Sequence, residues 1–246
     1  MTNVGCAGGR ERHSVPRRAP HSYWALLVGI LSLLTAGCGI GYETHSFRYR
    51  MTVEVDTPAG PRSGSSVIEL RVTETPFWDM GRAANFDLRG EAVAIDLPDG
   101  QTLFALLASP GDAEHARHVV LRSFRSPATA RALQQGKGLD WGDEVNEWRR
   151  TQPSAELIGD QRPTMVVFRD ITDPRTVEAV GVLNAPGIRV RRVSIAVTED
   201  PITEGIRHRL LWLEDHRGSL LYDGRLHPQA REKDLTPRAF RQGDVY

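Results

Sequence analysis

Three groups of side chains in this sequence have types and spacings that could do chemistry. His115 and His118 stand three residues apart with Glu114 beside them. On a helix the two imidazoles would share a face and could begin a metal site. Zinc needs three or four ligands, and His45, His208, His216 and His227 are the histidines that could complete one. Their spacing does not select among them. Surface histidines are the plainer reading, so no metal ion or other cofactor is assigned.

The second group is acidic. Asp140, Asp143, Glu144 and Glu147 lie among the tryptophans Trp141 and Trp148. Carboxylates beside tryptophans suit sugar binding or acid–base hydrolysis. The same pattern suits an amphipathic helix with acids at its start and arginines at its end, as the helix dipole prefers. That second reading is adopted, with Trp141, Asp143 and Trp148 kept as binding candidates. The third group is Phe77 and Trp78, in the Pro-bounded run Thr-Pro-Phe-Trp-Asp-Met at 75–80. Exposed, it would be a binding patch; buried, a core plug, which is the reading favoured because large aromatics usually bury most of their area.

The usual catalytic signatures do not occur. There is no Gly-rich phosphate loop, no Gly-x-Ser-x-Gly elbow and no His-Glu-x-x-His. Ser63, Ser65 and Ser66 follow a Pro-Gly turn and read as hairpin backbone rather than as a nucleophile. No catalytic residue is assigned, and a non-enzymatic role is expected ahead of an enzymatic one. Lys+Arg and Asp+Glu both number 31, so no global field favours nucleic acid. The two cysteines, Cys6 and Cys38, both precede residue 39. Everything after them must be held by its core, without disulfides or a cysteine zinc site.

The N-terminal segment addresses the compartment. Arg10, Arg12, Arg17 and Arg18 face one acid, Glu11, across residues 1–22, and an apolar run from Tyr23 to about Leu34 ends in Thr35-Ala36-Gly37-Cys38. A basic region, an apolar region and a small-residue end make an export-signal pattern. Three readings compete. Leu34-Thr35-Ala36-Gly37-Cys38 looks like a bacterial lipobox with Cys38 as the lipid-attachment residue, although Thr35 stands where an aliphatic residue is usual. Residues 23–42 could instead remain as a span, long enough for the ~30 Å hydrocarbon core and flanked by Tyr23, Trp24 and Tyr42; Gly37, Gly39 and Gly41 weaken that helix. Ordinary cleavage near Gly37 would release a soluble protein. The lipid anchor is preferred, and all three place residues from about 43 onward outside the cytoplasm. Arg17-Arg18 lacks the apolar follow-on of a twin-arginine signal.

The elements that would position these groups read as follows. Phe47, Tyr49, Met51, Val53 and Val55 alternate with polar residues, a strand with one buried face. A turn at 56–61 leads to a partner strand through Val72, completing a long hairpin. Residues 75 onward read as irregular. Residues 91–97 and 102–108, joined by Pro98-Asp99-Gly100, make a second hairpin whose second strand is apolar on both sides and so expected to be central. Residues 111–124 are ambiguous between helix and strand. Ser126-Pro127 opens a helix that Gly136 stops. Another covers 142–150, with Trp141, Val145 and Trp148 on one face. Strands resume at 164–170 and 188–198, with residues 172–180 between them reading as a short helix or turn in which Asp173 caps ahead of Pro174. The expected fold is α+β: a mostly antiparallel sheet built from hairpins with a helical middle segment. The expected division is 1–42 signal or anchor, 43–214 a single exported domain, and 215–246 a polar surface tail.

The stretches FRYRMTVEVDTPAGPRSGSSVIELR, GEAVAIDLPDGQTLFALL, MVVFRDITDPRTVEAV and VRRVSIAVTEDPITEGIRHRLLWL, from Phe47 to Leu213, resemble a family of uncharacterised bacterial proteins with an N-terminal membrane segment. The resemblance implies an envelope-associated domain and brings no activity, ligand or catalytic residue with it. The expectation is a membrane-tethered, non-enzymatic envelope protein that faces the periplasm or exterior and binds a protein or cell-wall partner. The alternatives are an envelope hydrolase using the carboxylates or histidines, and an accessory subunit of a membrane complex.

Overall fold

The structure is a computed structural model that describes residues 42–77, 81–136, 139–180, 187–220 and 235–243. The described residues open with the long hairpin, β1 (Glu43–Thr57) and β2 (Gly60–Phe77), paired from Glu43↔Glu74 to Thr57↔Gly60. The alternation in β1 does what its period demands. Phe47, Tyr49, Met51, Val53 and Val55 are all buried, while the residues between them stay half-buried on the other face.

The irregular stretch expected after residue 75 is instead mostly strand. The second strand runs to Phe77, and β3 (Gly81–Glu91) returns along it in antiparallel register. Glycine, alanine, asparagine and aspartate give this segment weak β propensity. Pairing with β2 overrides it, and the signal left in the sequence is the alternation Ala84, Phe86, Leu88 against Asn85, Asp87, Arg89.

Next come β4 (Val93–Asp96) and β5 (Thr102–Ala105), the hairpin around Pro98-Asp99-Gly100. The ambiguous region resolves as helix α1 (His115–Phe124), followed by α2 (Pro127–Gln134) and α3 (Trp141–Thr151). Ser126 caps α2 by accepting the Thr129 backbone N–H at 3.0 Å, with Pro127 at the first helical position. Gly136 ends it at φ 66°. The remaining strands are β6 (Ser154–Glu156), β7 (Met165–Phe168), β8 (Val177–Val180), β9 (Arg189–Thr198) and β10 (Arg241–Gln242), with a one-turn helix α4 (Ile206–Arg209) between the last two. Asp173 caps the turn before β8 by accepting the Arg175 N–H at 3.0 Å.

The strands form two antiparallel sheets rather than one. The larger has the order β10-β3-β2-β1-β9-β6; the smaller is β4-β5-β7-β8. Strand β5 shows why two layers are needed. Leu103, Ala105 and Leu107 enter the core shared with β1, β2, β9, α1 and α3, whereas Phe104, Leu106 and Ala108 enter a second core on the other side. A strand buried on both faces belongs in the interior of a sheet, as its composition demands. Gly64 lets the sheets approach: a Cβ on it would lie 2.4 Å from the Ala94 carbonyl oxygen.

The described C-terminal residues, 235–243, are not laid on the surface as the expected tail would be. Leu235, Ala239 and Phe240 are buried in the second core, and Phe240 lies 5.7–5.8 Å, centroid to centroid, from the rings of Phe104, Phe168 and Trp212. The segment is also held by its backbone, with the Ala92 N–H donating to the Phe240 carbonyl and the Leu107 N–H to that of Ala239, both at 2.8 Å. A lone Phe in a polar run has no periodicity to announce it, and its burial is set by elements far away in sequence.

Candidate functional site

The acidic and tryptophan cluster of α3 resolves into capping and packing. Asp140 is the N-cap, accepting the backbone N–H of Asp143 at 3.1 Å. Glu147 accepts two hydrogen bonds from Arg150, one turn later. Trp148 is buried against Phe47 and Phe124, and its indole N–H donates to the Phe124 carbonyl at 3.1 Å. Trp141 is half-buried and meets the edge of Phe86 at 5.0 Å. Asp143 is exposed. Burial raises the Glu144 carboxyl above its ordinary range, opposed by a Ser126 hydrogen bond and by Arg125. The two tryptophans pack inward, as expected of an amphipathic helix, although Trp148 also borders a surface cleft lined by Asp140, Asp143, Glu144 and Glu147.

His115 and His118 sit on one helix and share Asp112, 3.8 Å from His115 Nδ1 and 2.9 Å from His118 Nδ1. His115 is buried, and its Nε2 lies 3.2 Å from the Gln161 carbonyl oxygen. Burial holds its pKa below the ordinary 6.5, opposed by that carbonyl and by Asp112. His118 is exposed and lies 2.9 Å from Asp112 Oδ1. His208 is exposed, and His216 lies beside the Trp212 ring, 6.0 Å between centroids. The serine-rich turn is structural too: Ser66 Oγ donates to the Glu91 carbonyl at 2.7 Å, and Ser65 Oγ accepts from Arg50. Phe77 is the last residue of β2, opposite Gly81. Cys38, Trp78 and His227 lie outside the described residues.

The fold does assemble one constellation that the His115 and His118 pair did not predict. Among the described residues, Glu43, His45 and Glu74 bring one ligand atom each to within 4.8 Å of one another. Strand geometry accounts for this. Glu43 and His45 are two residues apart on β1 and so project to the same side as Phe47. Glu74 on β2 is directly opposite Glu43, and Val72 opposite His45. The open end of the long hairpin thus carries two carboxylates and an imidazole on its inward face.

Helix α3 covers this end. The Trp141 backbone N–H donates to Glu74 Oε1 at 3.2 Å, so a carboxylate buried to 1 % exposure sits at a helix N-terminus. The missing side chain of Gly142 makes room for the His45 ring. Buried against it, His45 Nε2 has no hydrogen-bond partner. By sequence His45 is only one of four histidines that could complete a site elsewhere. Its true neighbours were hidden because Glu74 reaches it only through strand register.

Among the described residues no helix is long and apolar enough to cross a membrane. No protein-family model, curated protein or solved structure matches this chain.

Proposed function

We propose that this chain is a membrane-tethered protein of a bacterial cell envelope, with its β-rich domain on the outer side serving as a non-enzymatic binding module for a protein or cell-wall partner. The observation that carries this reading is the junction at residue 42. The basic and apolar pattern of residues 1–41 ends where the long hairpin begins, with Tyr42 exposed and β1 starting at Glu43. A tether there would feed directly into the central strands of the larger sheet. The capping and pairing roles of Asp140 and Glu147 count against their use in hydrolysis. The balanced charge supports a partner other than nucleic acid.

The test is the intact mass and membrane partition of the expressed protein beside its Cys38→Ala variant. A lipid anchor predicts a heavier, detergent-phase protein whose variant loses the added mass. Equal mass and equal membrane partition would assign a retained span. An unanchored, aqueous wild-type protein would overturn the tether. Extraction in mild detergent then asks whether a stoichiometric partner co-purifies, which would place the chain as a subunit of a membrane complex.

A further inference from the structure

We infer that Glu43, His45 and Glu74 form a binding site for a divalent first-row transition-metal ion, with zinc as the natural test ion. The imidazole carries the argument. His45 Nε2 is buried and has no hydrogen-bond partner, so whichever tautomer the ring adopts, a polar atom inside the fold is left unsatisfied. An imidazole nitrogen within 4.8 Å of two carboxylate oxygens offers a metal ion the lone pair it requires.

The two glutamates strengthen it. Glu43 and Glu74 are directly opposed on neighbouring antiparallel strands, an arrangement in which like charges repel. Glu74 is buried and accepts the Trp141 N–H at the start of α3, so its carboxylate is held in place facing Glu43 across the strands. A divalent ion between the three side chains would neutralise both carboxylates and satisfy the imidazole. The donor set selects the class of ion. One nitrogen with carboxylate oxygens suits zinc and its neighbours, whereas calcium and magnesium prefer oxygen alone. Asp140 borders the site: its Oδ1 and His45 Nε2 lie 3.1 Å and 2.8 Å from the point where a Gly142 Cβ would stand.

Such an ion would act as a clasp. It would join the first residues of β1 to β2, whose Glu74 already accepts the Trp141 N–H at the start of α3, at the end of the hairpin farthest from its turn. This goes beyond the tether proposed above and does not depend on it, because a tethered or a soluble chain would give the same titration.

The experiment uses the full chain in detergent, stripped with a chelator and titrated with zinc chloride by calorimetry while Tm is followed. Wild type is compared with Glu43→Gln, His45→Gln and a His118→Gln control. The expected result is one equivalent of zinc bound, a Tm that rises with free zinc, about a tenfold or greater loss of affinity in the two site variants, and no change in the control. Absence of stoichiometric binding overturns the proposal. Binding that persists in both site variants places the metal elsewhere, for example at the N-terminal cysteines, and also overturns it. Glu43 is exposed, so Glu43→Gln decides the matter even if His45→Gln fails to fold.

Discussion

Gly142 and His45 are fitted to one another: a Cβ on Gly142 would lie 2.8 Å from both Cε1 and Nε2 of the imidazole. The glycine is buried inside helix α3, where alanine would ordinarily be the better helix former. Its retention is explained by the ring beneath it. Gly142→Ala is expected to destabilise the protein by about 1–3 kcal/mol through overpacking, and by clearly less in a His45→Ala background. Urea denaturation of the four proteins of this cycle measures the coupling. Equal effects in both backgrounds would refute the contact.

The C-terminal segment supplies a second prediction. Phe240 fills the centre of a ring cluster with Phe104, Phe168 and Trp212. Phe240→Ala should cost about 3–5 kcal/mol, read from the shift in denaturation midpoint. If residues 235–243 only lay on the surface, the change would stay within about 0.5 kcal/mol.

Within α3 the carboxylates separate by role. Asp140→Ala removes the N-cap and should cost about 1 kcal/mol. Asp143→Asn keeps the backbone N–H that Asp140 accepts and alters only an exposed carboxylate, so it should change stability by less than about 0.5 kcal/mol. Thermal melts of the two variants check the contrast, and a reversed order would mean that Asp143 has a role the fold does not explain.

The buried His115 predicts a pH dependence. Its folded pKa lies below its ordinary 6.5, with burial the largest cause. The unfolded chain therefore takes up the proton first as pH falls. Stability is full above about pH 6.5 and declines below it, at no more than about 1.4 kcal/mol per pH unit, until the folded pKa is reached. The facing groups Asp112, His118, Arg162 and the Gln161 carbonyl set how far the decline extends. His115→Gln should flatten this part of the profile. Asp112 titrates below its ordinary 3.8, so its own contribution falls in a separate, more acidic window. A wild-type profile unchanged by His115→Gln between pH 6.5 and 4.5 would contradict the assignment.

What was legible in the sequence had a local cause. The caps Ser126, Asp140 and Asp173 work within three residues, through hydrogen bonds that need no distant partner. The alternation of β1 and the Pro-Asp-Gly turn likewise sit in single short windows. The two-sided apolarity of β5 was enough to place it inside a sheet. The same locality made the α3 tryptophans readable as a packing face.

What escaped was decided by closure over long distances. Strand β3 has poor intrinsic propensity and exists because β2 offers it a ladder. Phe240 is buried because β5, β7 and Trp212 leave a ring-sized place for it. The candidate metal site is the clearest case. His115 and His118 are close in sequence and meet over Asp112, one of their own neighbours along the chain, whereas His45 and Glu74 are far apart in sequence and are brought together by hairpin register and the cover of α3. Amino-acid order alone determined the periodicities, the caps, the turns and the charge balance, since these depend on neighbours along the chain. Which side chains meet was left to the tertiary structure, because register and sheet order are settled by the burial of whole faces at once.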